Sequence, residues 1–318
     1  MSNRVRATLP VSSTVIGVAL SAAFMAVACG PGEARGTDGP GGEGKGGANR
    51  VPTVAKRIIA IAPNAAETIC ALGACDRIVG VSKYCVYPPE LKERPRVGGL
   101  LDTDLERVAA LRPDLLVMRG HNDPLEQLCR QLGVRVYRDE TDSLDGIEVS
   151  IRELGRLVGR ADRAEQLVAE FRERIETIRR RTADLPKPRV FLTVMRQPDR
   201  LANLLTAGKG TFLDEMITVA GGKNVFGHLD MAYPQVSPEG VLARRPDVII
   251  ELLPELTLTP ALEERLRSQW RSLGAIPAVG SGRIYFLGDD HSLIPSVRYP
   301  AIIEKVSRML HPDGLSDP

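Results

Sequence analysis

Short apolar runs alternate with segments in which apolar residues recur every three or four positions, along most of the chain after residue 55. Short runs are typical of buried parallel strands, and the wider spacing is typical of helices with one buried face. The pattern predicts strands, separated by helices, at 56–63, 77–82, 115–119, 134–138, 189–195, 248–252 and 283–287. Strands that alternate with helices predict an α/β fold built on parallel sheets.

A long helical segment separates the first four predicted strands from the last three. Apolar residues recur at helical spacing from Ile147 to Ile178, with an interruption at Gly159, and charged residues fill the other face of the second piece. A helix of this kind packs one side and leaves the other in water. Because sustained heptads are missing, a dimerising coiled coil is the weaker alternative. We expect a single long bridging helix within residues 144–186.

An internal repeat indicates that the two halves are similar. Residues 104–118 (DLERVAALRPDLLVM) align without gaps with residues 237–251 (SPEGVLARRPDVIIE), and Glu106 matches Glu239. Each copy is predicted to form a short helix, an Arg-Pro-Asp turn and a strand, because proline ends a helix and favours extended backbone before it. Residues 64–80 and 211–227 also match as helix, glycine and extended segment, with Asn64 placed to cap its helix. The repeats predict two similar parallel-sheet lobes with a ligand cleft between them.

The first 29 residues have the layout of an export signal. Arg4 and Arg6 precede an apolar stretch at Val11–Ala28, and small residues lead into Cys29. We expect a lipoprotein-type signal peptide (1–29) that ends at a lipidated Cys29, which implies an extracytoplasmic, membrane-anchored protein. The Gly-rich segment 30–55 is predicted to be a disordered tether. The alternatives are an uncleaved membrane anchor and a cleaved signal with an unlipidated Cys29.

The remaining segments are predicted to be an N-terminal lobe (56–143), the bridge (144–186) and a C-terminal lobe (187–318). A formal charge of +2 without a clustered basic run argues against nucleic-acid binding. Four further cysteines allow three disulfide pairings, and their spacing lacks the CxxC pairs of structural zinc sites. One disulfide or buried thiols are expected among Cys70, Cys75, Cys85 and Cys129.

This order of segments resembles the helical-backbone (class III) substrate-binding proteins of ABC importers, which are receptors for cobalamin, ferric siderophores and haem. Residues 57–99 resemble the opening signature of that family, and LERVAALRPDLLV and QVSPEGVLARRPDVII resemble its paired segments. The resemblance covers residues 56–310. It implies a monomeric carrier whose partners are an ABC permease and a small-molecule chelate. It further implies that Glu106 and Glu239, one on each lobe, contact permease arginines.

Candidate ligand-binding residues follow from the rule that ligands bind beyond the carboxyl ends of parallel strands. The candidates at these positions are Asn64, Tyr84, Arg119, His121, Arg138, Arg196, Tyr233 and Asp290. Guanidinium groups match carboxylate and catecholate oxygens and favour an anionic ferric chelate, and tyrosines can stack on a flat ligand. We therefore predict a receptor for a ferric siderophore or a cobalamin-type chelate, with no resident cofactor or metal.

Two alternatives remain. His121, His228 and His291 lie in predicted loops and suit a haem or metal-ion receptor of the same fold. A non-transport surface interaction protein is the alternative from another class. An enzyme is not expected, because HExxH and GxSxG are missing and residues 207–211 (AGKGT) lack the spacing of a phosphate-binding loop.

Overall fold

The computed structural model describes residues 54–315, apart from residues 198, 255, 275, 289 and 290. The helices in this part of the chain are α1 (Pro63–Ala71), α2 (Leu105–Ala110), α3 (Asp123–Leu132), α4 (Leu144–Leu157), α5 (Ala161–Thr182), α6 (Phe212–Val219), α7 (Pro238–Arg244), α8 (Pro260–Arg271), α9 (Pro277–Gly280) and α10 (Tyr299–Leu310). The strands are β1 (Ile58–Ala60), β2 (Ile78–Val81), β3 (Leu115–Met118), β4 (Arg135–Arg138), β5 (Arg189–Met195), β6 (Leu204–Thr206), β7 (Lys223–Asn224), β8 (Gln235–Val236), β9 (Val248–Leu252) and β10 (Ile284–Leu287).

The first four strands form sheet A, the centre of what we call lobe 1. They are parallel and lie in the order β2-β1-β3-β4. The predicted α/β architecture with a parallel sheet is therefore confirmed for this lobe. All residues of β1 and β3 are buried, which explains why these strands appear in the sequence as unbroken apolar runs.

The later strands form sheet B, the centre of lobe 2, in the order β10-β9-β5-β6-β8, with β7 paired to β5. Strands β5, β7, β9 and β10 are parallel, but β6 and β8 run antiparallel to their neighbours. The prediction of a wholly parallel second sheet is therefore wrong. The connection 196–203 between β5 and β6 is too short for a parallel crossover, which needs about a dozen residues or more.

The internal repeat is reproduced in the backbone. Arg112 and Arg245 occupy matching positions and both adopt left-handed conformations, with φ of 46° and 45°. Asp114 accepts a hydrogen bond from the backbone N–H of Arg57 at 3.1 Å, and Asp247 accepts one from that of Arg189 at 2.8 Å. Each aspartate therefore fastens its helix-turn-strand unit to the first strand of its own lobe.

The bridge is a helical hairpin rather than the single helix expected for residues 144–186. Helix α4 ends at Leu157, Gly159 turns the chain with φ of 63°, and α5 runs back along α4. Glu148 of α4 is bonded by Arg172 of α5 at 2.8 Å, which fixes the antiparallel register. The second helix then packs against α6 and α10 of lobe 2. No helix within the described residues is long and apolar enough to cross a membrane.

The largest apolar core runs through both lobes and the hairpin between them. Of the three disulfide pairings that the sequence leaves open, the structure contains Cys70–Cys75, at the end of α1. Cys85 and Cys129 are buried thiols. The two lobes and their hairpin therefore share one packed interior.

Candidate functional site

Two hydrogen bonds join the segment beyond β4 of sheet A to lobe 2. The backbone N–H of Phe212 in lobe 2 donates to the carbonyl of Asp142, beyond β4 of lobe 1, at 2.7 Å. The Glu215 carboxylate accepts from the backbone N–H of Leu144 at 2.6 Å. These contacts hold the start of α6 against the start of the bridge, so the loops after β3 and β4 lie beside lobe 2.

Two candidate residues of lobe 1, Asn64 and Arg119, meet at Thr141. The Asn64 side-chain amide donates to the Thr141 hydroxyl oxygen at 3.1 Å, and Arg119 Nη1 donates to the same oxygen at 3.2 Å. Arg119 also forms an ion pair with Asp142. The expected capping role of Asn64 is wrong, because the helix begins at Pro63 and its N-cap is Ala62. Asn64 therefore serves the lobe boundary instead of its own helix.

Asp139 lies beneath this pair and receives a hydrogen bond from the Asn64 amide at 2.7 Å. Burial raises the pKa of the Asp139 carboxyl to about 6, while hydrogen bonds from Ser150 and Asn64 and the charge of Arg119 act in the opposite direction. A carboxyl group that titrates near neutral pH thus supports the two candidate residues.

Tyr233 brings lobe 2 to the same group. Only 5% of this residue is exposed, and burial raises the pKa of its hydroxyl. The charges of Arg119 and Asp142 also act on that pKa, in opposite directions, so the hydroxyl is within electrostatic reach of both. The structure therefore brings Asn64, Arg119 and Tyr233 together from two lobes, as a ligand site between them requires.

His121 and Arg138 form a second group with Glu126 of α3. Arg138 makes an ion pair with Glu126, and the His121 Nδ1 atom lies 3.7 Å from the same carboxylate. The hydrogen bond from Arg138 lowers the pKa of Glu126. The His121 side chain is 72% exposed, so it remains accessible at the surface.

Tyr84 lies in the loop after β2 and is half-buried. The Lys83 ammonium sits 5.2 Å from the centre of its ring. Lys83 itself forms an ion pair with Asp102 at 2.8 Å. The Tyr84 ring thus lies at the carboxyl edge of sheet A, beside a lysine whose charge is balanced by Asp102.

The structure does not bring Arg196 to the others. Its side chain is 3% exposed and forms an ion pair with the fully buried Glu251 at 2.8 Å. The fully buried Trp270 donates its indole N–H to the same carboxylate. This arrangement gives Arg196 an internal role in lobe 2, which the sequence position alone did not reveal. Asp290 lies outside the described residues.

The two glutamates of the repeat occupy equivalent places. Glu106 lies in the first turn of α2 and Glu239 in the first turn of α7, and both are exposed. Asp104 caps the first helix by accepting from Arg107 N–H at 2.9 Å, and Ser237 caps the second by accepting from Gly240 N–H at 3.1 Å. Cys29 lies outside the described residues.

Residues that the sequence did not single out complete the boundary. Glu67 of lobe 1 contacts Ser296 and Arg298 of lobe 2, and Arg298 stacks on the ring of Tyr87. Glu67 and Arg298 lie on or beside helices and 231 positions apart, so no local pattern marks them as partners. Tyr87 differs from the other three, because its position after β2 had already placed it among the residues beyond the strand ends.

Comparison with known proteins gives a consistent result. The profile of a family described as periplasmic binding protein matches residues 58–291. A vitamin B12-binding protein of Vibrio cholerae serotype O1 is 30% identical over 262 residues, which cover 81% of this chain and 90% of the relative. A vitamin B12-binding protein of Yersinia pestis is 30% identical over 235 residues, or 73% of this chain and 80% of the relative.

Solved structures match over the same region. A periplasmic vitamin B12-binding protein of Vibrio cholerae aligns with a TM-score of 0.68 and 29% identity, covering 80% of this chain and 96% of that one. A periplasmic heme-binding protein of Pseudomonas aeruginosa aligns with a TM-score of 0.72 and 27% identity, covering 83% and 96%.

Proposed function

Because the chain belongs to the periplasmic binding protein family, we propose that it captures a corrinoid in the boundary between its lobes and hands it to the permease of an ABC importer. Family membership confirms the resemblance seen in the sequence and the prediction of a substrate-binding protein rather than an enzyme. The ligand and the details of delivery are the proposal.

One observation supports a corrinoid over a strongly anionic ferric chelate. Four cationic side chains at or near the boundary are paired with carboxylates: Lys83 with Asp102, Arg119 with Asp142, Arg138 with Glu126 and Arg298 with Glu67. A polyanionic ligand would have to compete with each of these carboxylates. A ligand of low net charge and large surface leaves them intact and can use the rings of Tyr84 and Tyr87 instead.

The names of the relatives agree with this choice, since the two curated relatives described above bind vitamin B12. The single tryptophan of the chain, Trp270, is fully buried and therefore does not offer a ring to a ligand. Haem is the second candidate, favoured by the exposed imidazole of His121 and by a haem-binding structural relative. A ferric siderophore is the third.

Calorimetric titration of the mature protein with cyanocobalamin, haemin and a ferric catecholate tests the ligand. We expect cyanocobalamin to bind, and Arg119→Ala to weaken its binding by roughly 1–3 kcal/mol, because Arg119 holds the Thr141 and Asp142 side of the boundary. Arg160→Ala, at an exposed position between α4 and α5 and at the opposite end of α4 from this boundary, is the matched control and should bind like the wild type.

If haemin or the ferric catecholate binds more tightly than cyanocobalamin, that compound becomes the proposed ligand in place of the corrinoid. Binding of none of the three, with no ligand-induced rise in thermal stability, would instead favour the surface interaction protein. Wild-type affinity in Arg119→Ala would remove this residue from the site.

The remaining assignments are also proposals. We assign residues 56–143 and 187–318 to two domains joined by residues 144–186, residues 1–29 to a lipoprotein signal and residues 30–53 to a tether. The expected tether bound of 55 is wrong, because Ala55 is fully buried and its backbone N–H donates to the Leu157 carbonyl at 2.9 Å. The protein would then act as a monomer, anchored outside the cytoplasm through Cys29. Glu106 and Glu239 would contact the permease, since they are exposed at equivalent places on the two lobes.

A further inference from the structure

A buried carboxylate joins the two lobes. Both Glu67 oxygens are engaged: Oε2 accepts from Arg298 Nε at 3.0 Å and from the Ser296 hydroxyl at 2.5 Å, and Oε1 accepts from Arg298 Nη2. The Glu67 side chain is 3% exposed and that of Arg298 is 25% exposed. A bidentate guanidinium–carboxylate pair with little access to water is both strong and specific in geometry.

The pair lies where the carboxyl edges of the sheets approach each other. Glu67 is in the second turn of α1, which begins directly after β1 of sheet A. Ser296 and Arg298 lie in the connection that follows β10 of sheet B and leads into α10. The pair therefore ties together the two edges between which the ligand site is proposed.

Tyr87 connects this pair to the surface. The Arg298 guanidinium carbon lies 3.6 Å from the centre of the Tyr87 ring, which is the distance of face-on cation–π stacking. Tyr87 follows β2 at the carboxyl edge of sheet A and is 43% exposed. The guanidinium covers one face of the Tyr87 ring. The rest of the ring surface is exposed in part, and a flat ligand can reach it.

We propose that Arg298 is a positioning residue: its pair with Glu67 sets the spacing of the two lobes, and its guanidinium orients the Tyr87 ring toward the ligand. We call Glu67, Ser296, Arg298 and Tyr87 the inter-lobe clasp. The ligand part of this inference rests on the proposed function, whereas the spacing part does not.

The clasp controls affinity through the population of the correctly spaced state. If Arg298 is removed, the Glu67 carboxylate keeps only the Ser296 hydroxyl and gains solvation when the lobes separate. When a fraction of molecules has the binding-competent spacing, the apparent Kd rises by the inverse of that fraction. A clasp variant that keeps about one tenth of the competent state should therefore bind about tenfold more weakly.

Lobe spacing is measured first, without ligand. Small-angle scattering of the mature protein should show a wider distance distribution for Arg298→Gln and Glu67→Gln than for the wild type. The matched control is Arg174→Gln, which removes the 3.5 Å ion pair to Glu304 between α5 and α10. Near-ultraviolet circular dichroism identifies variants that have lost their tertiary packing, and the double variant Glu67→Gln/Arg298→Gln avoids leaving a buried charge unpaired.

Affinity for cyanocobalamin is measured next. We expect Arg298→Gln to bind about tenfold more weakly. Arg298→Lys should also lose affinity, because lysine keeps the charge but not the planar guanidinium. Adding Glu67→Gln to Arg298→Gln should cause no further loss of affinity, because both substitutions break the same pair. Tyr87→Ala should lose about as much affinity as Arg298→Gln, because the Tyr87 ring is the group that Arg298 orients.

Unchanged spacing in folded Arg298→Gln and in the double variant overturns the clasp. Additive losses in the double variant, or normal binding by Tyr87→Ala, overturn the coupling to the ligand. If the wild type binds no cyanocobalamin, the corrinoid proposal fails, while the scattering result still decides the spacing role.

Discussion

Asp139 shows how its surroundings change the chemistry of a single side chain. It directly follows β4, at the position where ligand residues are expected, but the sequence favoured its neighbour Arg138 because guanidinium suits an anion. The structure pairs Arg138 with Glu126 and buries Asp139 under Asn64. Whether a charged side chain is buried or paired with a carboxylate depends on residues far away in the sequence. The charges available to a ligand could therefore not be predicted from the residues at the strand ends.

The pH dependence of stability should reveal Asp139. Its folded pKa of about 6 lies above the ordinary aspartate pKa of 3.8, so the folded state holds this proton more tightly than the unfolded state. The resulting gain in the free energy of unfolding is fully present below pH about 4 and is lost as the pH rises through about 6. Its upper limit is roughly 3 kcal/mol. Asp139→Asn should therefore flatten the curve of unfolding free energy against pH between about 4 and 7.

Urea denaturation over that pH range measures the effect, with the exposed Asp199→Asn as control. If the unfolding free energy of Asp139→Asn changes with pH as steeply as that of the wild type, a group other than Asp139 titrates in this range.

Whole elements were more predictable than single side chains. Strands β5 and β9 match their predicted bounds, and the repeated helix-turn-strand unit was found from identities alone. The failures have local causes. Pro63 occupies the first helical position, so Asn64 lies inside the helix instead of at its cap. Strands β6 and β8 have only three and two residues, too few to give an apolar run.

The equivalence of α2 and α7 leads to a test of the docking glutamates. Replacing both Glu106 and Glu239 by Arg should abolish uptake in cells, because the two introduced guanidinium groups would repel the permease arginines that the carboxylates attract. Ligand affinity should stay within about twofold, and stability should fall by no more than about 1 kcal/mol per site, the scale of a helix-terminus charge effect.

The matched control is Glu93→Arg with Glu264→Arg, which reverses one exposed glutamate on each lobe. Normal uptake by the Glu106/Glu239 double variant would contradict docking. Loss of ligand binding would place the pair in the site.

At the scale of the whole molecule, the sequence predicted two lobes and a ligand site at the carboxyl edges of their sheets. It could not predict which residues meet across that edge. Glu67 and Arg298 are 231 positions apart, and Asp142 meets Phe212 through backbone atoms that carry no residue-specific signal. Such contacts depend on how the lobes are oriented by the α4–α5 hairpin, which was itself expected to be a single bridging helix.

The proposed membrane anchor is also tested at the scale of the whole molecule. We expect Cys29→Ser to release the protein from membranes, because the substitution removes the thiol that would carry the lipid. Fractionation of cells with an antibody against the folded body measures this, and Cys85→Ser controls for loss of a thiol elsewhere. Complete retention of Cys29→Ser in the membrane fraction would favour an uncleaved apolar anchor.

The separation of the two sheets along the chain has a consequence for folding order. All strands of sheet A lie between residues 58 and 138, and all strands of sheet B lie between residues 189 and 287. Sheet A can therefore acquire every strand neighbour while the second half of the chain is still unstructured. The contacts of Glu67 form later, since its carboxylate must wait for Arg298, beyond the last strand of sheet B. The clasp would then be among the last contacts to form, and its closure would mark the end of folding.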